Sequence, residues 1–313
     1  MAYYLGIDGG GTKTTCVAGD EVSLLGSTMT GPSNIIRVGE VRARQSLQDA
    51  VRRACAAAQI DPGQLRRSYV GVAGAGRQEI AGAVREIIAE IVAGEIHVVG
   101  DMEIAMEAAF GAGPGVIVIA GTGSIAYGRD GQGKTARAGG WGFASSDEGS
   151  GYWIGRIAVS ALMRAADEAA DNRAAEQRSP LFHEMRAIWK LESFEELARA
   201  SNSNPDFAAL LPAVLAAATA GDELARQILR QAGRELEQLA SIVARKLFPQ
   251  DILHIPLAMA GGVFRYATIA REVFCDAVHR LDPRLDVNPQ VVEPVDGALQ
   301  MARSGDCRTG GSD

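Results

Sequence analysis

The sequence predicts an α/β protein with two similar lobes, each built on a mixed sheet flanked by helices. In the first 113 residues, apolar extended segments alternate with amphipathic helical ones, which is typical of this class. The alternation begins again near residue 114. In each half an apolar strand runs into a glycine–threonine turn, Gly9-Gly10-Gly11-Thr12 and Gly121-Thr122-Gly123-Ser124. This weak repeat predicts two related lobes with a ligand cleft between them.

The first lobe, residues 1–113, is predicted to contain a three-stranded meander followed by further strands and helices in alternation. Short apolar runs bounded by glycine or acidic turns indicate the strands, and apolar residues at helical spacing indicate the helices. The predicted strands are 3–8, 14–18, 22–29, 69–73 and 96–99, and the predicted helices are 40–58, 78–92 and 102–110.

The second lobe, residues 114–293, is predicted to repeat the strands and to carry a helical insertion over about 150–247. Its predicted strands are 116–120, 125–128, 134–138, 253–260 and 286–292, and its predicted helices are 150–170, 182–189, 206–218, 222–247 and 264–280. We expect a closing helix, 294–304, to pack back toward the first lobe. The tail 305–313 is rich in Gly, Ser and Asp and is expected to fray.

The composition limits the class of partner. A length of 313 residues suits two domains, and a net charge of −7 disfavours nucleic acid and anionic membranes. Four cysteines without a CxxC pair and four histidines without ligand spacing indicate neither a disulfide framework nor a zinc site, which fits a reducing cytoplasm. We expect no signal peptide, because residues 1–8 already form a strand, and no membrane span, because no apolar run approaches about 18 residues.

The two glycine turns are candidate phosphate-binding sites. Backbone N–H groups without neighbouring Cβ atoms bind phosphate oxygens, and Thr12, Thr14, Thr122 and Ser124 add hydroxyl groups. Asp8, at the end of the first strand, is a candidate Mg²⁺ ligand acting through water. Ordinary hairpin turns have the same composition, so these residues alone leave both interpretations open.

Two further glycine motifs are weaker. Residues 128–135 match GxxxxGK[ST], but a P-loop needs a helix after its lysine, and glycine-rich sequence follows here. Asp130-Gly131 instead favours a hairpin. Residues 71–76 carry glycines spaced as GxxGxG, unlike the dinucleotide fingerprint, which favours a close contact between a strand and a helix.

Eight short motifs are spread along nearly the whole chain: residues 6–13 (GIDGGGTK), 31–34 (GPSN), Asp101, 121–124 (GTGS), 139–142 (GGWG), 146–153 (SDEGSGYW), 260–263 (AGGV) and 294–298 (PVDGA). Together they resemble the N-acetylglucosamine kinase and glucosamine kinase group of the BadF/BadG/BcrA/BcrD ATPase family, in the actin/hexokinase/Hsp70 superfamily. The spacing from GTGS to GGWG to DEGS is the most specific part. The resemblance implies a two-lobed actin-like (ribonuclease H-like) ATPase fold.

The resemblance also implies roles for individual residues. Asp101 would bind the sugar 6-hydroxyl and act as catalytic base, Asn34 and Asp147 would bind other sugar hydroxyls, and Gly140 and Trp141 would shape the sugar site. The residues implied to bind ATP are Gly10, Gly11, Thr12, Lys13, Thr122, Gly123, Ser124, Gly261 and Gly262, with Asp8 holding Mg²⁺ and residues 216–222 forming a wall of the adenine pocket.

Each of these residues also has a plain structural interpretation. Asp101 and Asp147 suit the start of a helix, Asn34 suits a turn, Trp141 suits packing between lobes, and Gly261-Gly262 suits a strand-to-helix turn.

The function implied by the resemblance is ATP-dependent phosphorylation of an amino sugar at its 6-hydroxyl, by a homodimer. N-acetylglucosamine is the first candidate substrate, and glucosamine or N-acetylmuramic acid are alternatives. A second class in the same family activates 2-hydroxyacyl-CoA dehydratases through an iron–sulfur cluster held by cysteines of the second lobe, but residues 115–226 contain no cysteine. A third possibility is a non-catalytic actin-like protein.

Overall fold

The computed structural model describes residues 1–169, 176–203 and 205–305, and the chain divides into two compact units. The first unit contains residues 1–113 and the segment that begins at Val292, and the second runs from Pro114 to Val291. Each unit contains one five-stranded sheet with parallel and antiparallel pairs and with helices against it. The predicted α/β class with two mixed sheets is therefore confirmed.

The first unit is formed by strands β1 (Tyr3–Gly9), β2 (Thr14–Gly19), β3 (Leu24–Thr30), β4 (Leu65–Val72) and β5 (Glu95–Gly100), and by helices α1 (Ile35–Val38), α2 (Glu40–Ala58), α3 (Gln78–Ala89), α4 (Asp101–Phe110) and, at the end of the described chain, α12 (Pro294–Ser304). The strand order is β3-β2-β1-β4-β5. β1, β4 and β5 are parallel, so their carboxyl ends share one edge of the sheet.

The alternation of side chains along β1 places helices on both faces of this sheet. Leu5 and Ile7 point into a core that α2 and α3 complete, whereas Tyr4 joins a second core with α4 and α12. A Cβ on Gly6 would lie 2.6 Å from the backbone nitrogen of Leu299, so glycine at this position allows α12 to lie directly against β1.

The second unit is formed by strands β6 (Gly115–Ala120), β7 (Ser124–Arg129), β8 (Thr135–Gly139), β9 (Ile255–Ala260) and β10 (Leu285–Val292), and by helices α5 (Gly151–Glu168), α6 (Pro180–Trp189), α7 (Phe194–Ser201), α8 (Leu211–Thr219), α9 (Glu223–Leu247), α10 (Gly262–Tyr266) and α11 (Thr268–Leu281). The strand order is β10-β9-β6-β7-β8. β6 is parallel to β9 and antiparallel to β7, so β6 and β9 end at the same edge.

The long helix α9 lies against the second sheet and holds the largest core together. Leu236, Ala240 and Val243 recur at helical spacing, are buried and contact the sheet residues of this core. Within the described ranges, no single helix has both the length and the apolar character needed to cross a membrane. One pair of consecutive helical segments has this length and apolar character when taken together, Phe207–Thr219 with Glu223–Leu247. The pair is bent by 119°, and its apolar residues belong to the core of the second unit.

All ten predicted strands are present, and the differences lie mainly in the helices. Helix 264–280 is two helices, because Ala267 leaves helical geometry (φ −92°, ψ 75°). Helix 206–218 begins as a 3-10 turn at Phe207–Leu210. Helix α7 was not predicted, although Ser193, whose hydroxyl accepts the N–H of Glu196, is a recognisable start signal. The predicted fraying falls on residues 306–313, outside the described chain, apart from Gly305.

Both weaker glycine motifs have the structures expected of them. Residues 128–135 form the β7–β8 turn, in which Asp130 Oδ1 accepts the N–H groups of Gln132 and Lys134 at 2.9 Å each, so no P-loop is present there. A Cβ on Gly71 would lie 2.2 Å from Ile104 Cδ1, so this glycine allows α4 to approach β4.

Candidate functional site

Three parallel strands of the first sheet end in one row. Gly9 of β1 lies beside Val72 of β4, and Val72 lies beside Gly100 of β5. Asp8 immediately precedes this row, and Asp101 immediately follows it. Ligands of open α/β sheets bind at the carboxyl ends of the strands. This edge is therefore the candidate site of the first unit.

The turn after β1 is closed by backbone hydrogen bonds. The N–H of Gly10 donates to the carbonyl of Lys13 at 2.9 Å. The carbonyl of Gly10 accepts the N–H groups of Ser33 and Asn34 at 3.1 and 3.2 Å, so the turn and the GPSN segment form one structure. Thr12 and Lys13 are exposed at its tip.

Two polar side chains near this turn hold the local structure. Asn34 Oδ1 accepts the N–H of Arg37 at 3.3 Å and caps α1, as the structural interpretation of this residue proposed. Its side-chain NH₂ has no hydrogen-bond partner among the described residues. The buried hydroxyl of Thr14 donates to the carbonyl of Gly31 and is also hydrogen-bonded to the Ser33 hydroxyl, so Thr14 supports the loop and does not supply the phosphate donor expected from the sequence.

Carboxylates gather at the same edge of the first unit. Burial, together with the negative charges of Asp101 and Glu293, raises the pKa of Asp8 to about 7, although Lys13 opposes the shift. Glu293 immediately precedes α12, which the close packing at Gly6 brings to β1. A bound cation would relieve this repulsion.

Asp101 is the first residue of α4. The helix N-cap is Gly100, whose N–H donates to Glu103 Oε1 at 3.0 Å, so Asp101 does not occupy the capping position considered from the sequence. Asp101 Oδ1 accepts the N–H of Met102 at 3.0 Å. Burial raises the pKa of Asp101, and this backbone hydrogen bond opposes the shift. The carboxylate is therefore partly desolvated and more basic than an exposed aspartate.

The second glycine turn, between β6 and β7, is fixed to the start of α5. The carbonyls of Gly121 and Thr122 accept the N–H groups of Gly151 and Tyr152 at 2.8 and 3.2 Å. Ser124 is only 3% exposed, and its hydroxyl donates to the carbonyl of Glu148 at 2.7 Å. A ligand at this turn would therefore be bound by backbone N–H groups rather than by the Ser124 hydroxyl.

Asp147 lies over this turn in an unusual backbone conformation. Its φ is +66°, which is rare for a residue other than glycine, and its side chain is buried against Gly123. Burial raises the pKa of Asp147, while hydrogen bonds from the backbone N–H groups of Ser124 and Gly142 oppose the shift. The acid is thus held between the GTGS turn and the GGWG segment.

The GGWG segment places an aromatic ring next to Asp147. Gly140 has a φ of +69°, and its Cβ position is blocked by Ile125 at 2.7 Å, so only glycine fits there. The following Trp141 is 73% exposed, and the guanidinium carbon of Arg137 lies 4.1 Å from the centre of its ring. Trp141 is therefore an exposed aromatic platform.

Gly261 and Gly262 follow β9 at the same edge as the GTGS turn. Gly261 has a φ of +97°, and a Cβ there would lie 2.4 Å from the carbonyl oxygen of Ala120, so the AGGV segment touches the end of β6. A cavity of about 400 Å³ opens nearby and is lined by Leu215, Ala218, Thr219, Arg226, Leu229, Arg230, Tyr266, Thr268 and Ile269. It includes two residues of the segment 216–222 predicted as an adenine wall.

The described residues suit a magnesium ion that takes few of its ligands from the protein and the rest from water and the nucleotide. They contain no group of three or more His, Cys, Asp or Glu side chains arranged to hold a metal. Mg²⁺ in nucleotide sites is usually bound by one or two carboxylates, waters and the substrate phosphates, and the single carboxylate of Asp8 suits the protein's share.

Comparison with known proteins assigns the chain to a family. The sequence profile of the BadF/BadG/BcrA/BcrD ATPase family matches residues 5–302. The chain belongs to this family. An N-acetylmuramic acid/N-acetylglucosamine kinase of Clostridium acetobutylicum is 31% identical over 97% of this chain and 99% of that protein, and an N-acetyl-D-glucosamine kinase of Dictyostelium discoideum is 27% identical over 96% and 97%.

A solved structure resembles this BadF/BadG/BcrA/BcrD family member over almost its whole length. The protein, assigned as an N-acetylglucosamine kinase from Chromobacterium violaceum, superimposes with a TM-score of 0.75 at 27% identity, covering 96% of this chain and 99% of that one. The actin-like ATPase fold implied by the sequence motifs is thereby confirmed.

Each unit of this ATPase-family protein assembles its own set of predicted residues. The first brings Asp8 and Asp101 to one sheet edge, with the Gly10–Lys13 turn and Asn34 at its end. The second unites Thr122, Gly123, Ser124, Gly140, Trp141, Asp147, Gly261 and Gly262. Two charged neighbours were missed: Glu293, which precedes the PVDGA motif, and Arg137, four residues before Trp141.

Proposed function

We propose that this protein transfers the γ-phosphoryl group of ATP to the 6-hydroxyl of an amino sugar, with N-acetylglucosamine as its principal substrate. Membership of an ATPase family and full-length similarity to kinases of N-acetylglucosamine and N-acetylmuramic acid support this activity. The observation that carries the chemical assignment is Asp101, a partly desolvated carboxylate at the end of β5 and next to Asp8.

In this proposal Asp101 is the general base. Its carboxylate accepts the proton of the 6-hydroxyl while the sugar oxygen forms a bond to the γ-phosphorus and the bond to the ADP oxygen breaks. Phosphoryl transfer needs little beyond positioning, charge neutralisation and one group that orients the nucleophile. The Met102 N–H and the Gly71–Ile104 contact hold Asp101 and α4 in place for this role.

We assign nucleotide binding in the first unit to Gly10, Gly11, Thr12 and Lys13, which form the exposed tip of the β1–β2 turn. Mg²⁺, when bound, would neutralise charge on the phosphates. Asp8 is the residue that would hold it, through water. Burial and then the negative charges of Asp101 and Glu293 raise the pKa of Asp8, and these charges favour a cation there.

In the second unit, we assign phosphate binding to the backbone N–H groups of Thr122 and Gly123, and approach of the nucleoside to Gly261 and Gly262. Ser124 completes the turn, and its own N–H donates to the Asp147 carboxylate. The 400 Å³ cavity beside Tyr266 has the size and the mixed polarity for a nucleobase. Asp147 and the platform of Gly140 and Trp141 would bind the sugar in this unit. In the first unit, we assign the side-chain NH₂ of Asn34 to binding of a sugar hydroxyl.

The base assignment is tested by Asp101→Asn. We expect this variant to fold as the wild type and to lose phosphoryl transfer by at least about 100-fold in kcat, because the amide accepts no proton. ADP release is measured with glucose, glucosamine, N-acetylglucosamine, N-acetylmannosamine and N-acetylmuramic acid. Near-normal turnover of the variant would refute the base, and no sugar-dependent ADP release by the wild type would refute the kinase.

The alternative substrates are glucosamine and N-acetylmuramic acid, and the same panel separates them. We further propose a homodimer in the cytoplasm, where thiols stay reduced; Cys16, Cys55 and Cys275 are free. A homodimer would be recognised by its mass in solution.

A further inference from the structure

Arg137 carries a positive charge beside the exposed ring of Trp141. Its guanidinium stacks on the indole at 4.1 Å, and none of the residues in 1–169, 176–203 and 205–305 forms an ion pair with it. A second cation is close, because Lys246 Nζ donates to the carbonyl oxygen of Arg137 at 3.1 Å. This end of β8 therefore combines an aromatic platform with positive charge that no described carboxylate neutralises.

The same segment reaches the proposed sugar site. Gly142, next to Trp141, donates its N–H to the Asp147 carboxylate. A sugar that contacts both Asp147 and the Trp141 ring would thus lie within one side-chain length of Arg137. A neutral sugar has no group that forms an ion pair with the Arg137 guanidinium, whereas a sugar with a carboxylate substituent does.

We propose that Arg137 recognises a carboxylate on the substrate, so that the protein phosphorylates amino sugars with an acidic substituent as well as neutral ones. The inference rests on the proposed kinase activity and deepens it. Guanidinium groups bind carboxylates through paired, charge-assisted hydrogen bonds, and stacking on an indole keeps the donor fork oriented. Trp141 and Arg137 thereby form one acid-selective surface.

The experiment compares N-acetylmuramic acid with its methyl ester, in which one added methyl group removes the negative charge of the substituent. The wild type should have the higher kcat/KM for the acid, and Arg137→Gln should lower the acid-to-ester ratio by about tenfold or more, since a hydrogen bond to a charged group is lost. Arg137→Lys should retain part of the preference. Arg280→Gln, an exposed arginine on α11, should leave the ratio at its wild-type value.

An unchanged ratio in Arg137→Gln would overturn the proposal, as would equal losses for acid, ester and N-acetylglucosamine, because Arg137 would then only support the indole. A wild type that phosphorylates N-acetylglucosamine but not N-acetylmuramic acid also overturns it and leaves the kinase intact. No turnover of any amino sugar refutes the kinase itself. If Arg137→Gln does not fold, the wild type alone decides: added salt should lower kcat/KM more for the acid than for the ester.

Discussion

Asp8 is a residue whose charge the first unit tolerates poorly. It sits one position before the row in which β1, β4 and β5 end, and its carboxylate faces the charges of Asp101 and Glu293. Such clusters persist where a ligand supplies the opposite charge. Without the ligand, the ionised form of Asp8 weakens the folded state.

This predicts an unusual dependence of stability on pH. The folded pKa of Asp8 is about 7, above its ordinary 3.8, so the folded state binds the proton more tightly and the wild type loses stability as pH rises from about 4 to 7. Asp8→Asn removes this loss. In urea unfolding with EDTA, we expect the variant to gain about 1–4 kcal/mol over the wild type at pH 8 and none near pH 4.

The control for this measurement is Asp20→Asn. Backbone N–H groups of Ser23 and Val22 lower the pKa of Asp20, so its ionised form stabilises the folded wild type as pH rises through the acidic range. Asp20→Asn lacks this gain, so the variant should become less stable than the wild type over the same range. If Asp8→Asn shows the same sign as Asp20→Asn, the electrostatic description of the acidic edge is wrong.

At the scale of elements, α12 and α4 approach so closely that only glycine fits between them. A Cβ on Gly297 would lie 2.0 Å from the carbonyl oxygen of Ile104 and 2.5 Å from the nitrogen of Ala108. Both partners are backbone atoms of the helix that begins with Asp101, so they cannot yield as a side chain would. This contact sets the position of the proposed base.

Gly297→Ala should therefore lower the free energy of unfolding by about 1–3 kcal/mol, through overpacking between α12 and α4. Gly82→Ala is the matched control, because Gly82 is exposed on α3 with nothing within 4 Å of its Cβ position. Alanine has the higher helix propensity, so this variant should raise the free energy of unfolding by at most about 1 kcal/mol. Urea unfolding checks both. A neutral Gly297→Ala would mean that the two helices separate without cost.

Elements were more predictable from the sequence than their contacts. Apolar runs between glycine turns predict the strands. Gly71 was expected to mark a contact between a strand and a helix. The close approach of Gly297 to Ile104 and the effect of the Glu293 charge on Asp8 both involve residues far apart in the chain. A local sequence pattern cannot predict such interactions. Arg137 lies only four residues from Trp141, yet an arginine on a strand of alternating residues gives no local sign that its side chain covers the ring.

At the scale of the whole molecule, the distribution of cysteines favours a sugar kinase over an activator of a dehydratase that holds an iron–sulfur cluster. The chain contains no cysteine between Cys55 and Cys275, and Cys16 and Cys55 are buried in the first unit. We therefore expect protein purified without oxygen to be colourless and to contain far less than one iron per chain. Stoichiometric iron with absorbance near 400 nm would favour a dehydratase activator instead; the visible spectrum and an iron assay decide.

The left-handed backbone at Asp147 has a consequence for mutagenesis. Glycine and asparagine enter this conformation readily, whereas alanine there carries strain of about 1–2 kcal/mol. Replacement of Asp147 by asparagine keeps the chain path and removes only the charge. Loss of activity in an alanine variant would combine a distorted GTGS–GGWG junction with a missing acid, so only the asparagine substitution separates shape from chemistry.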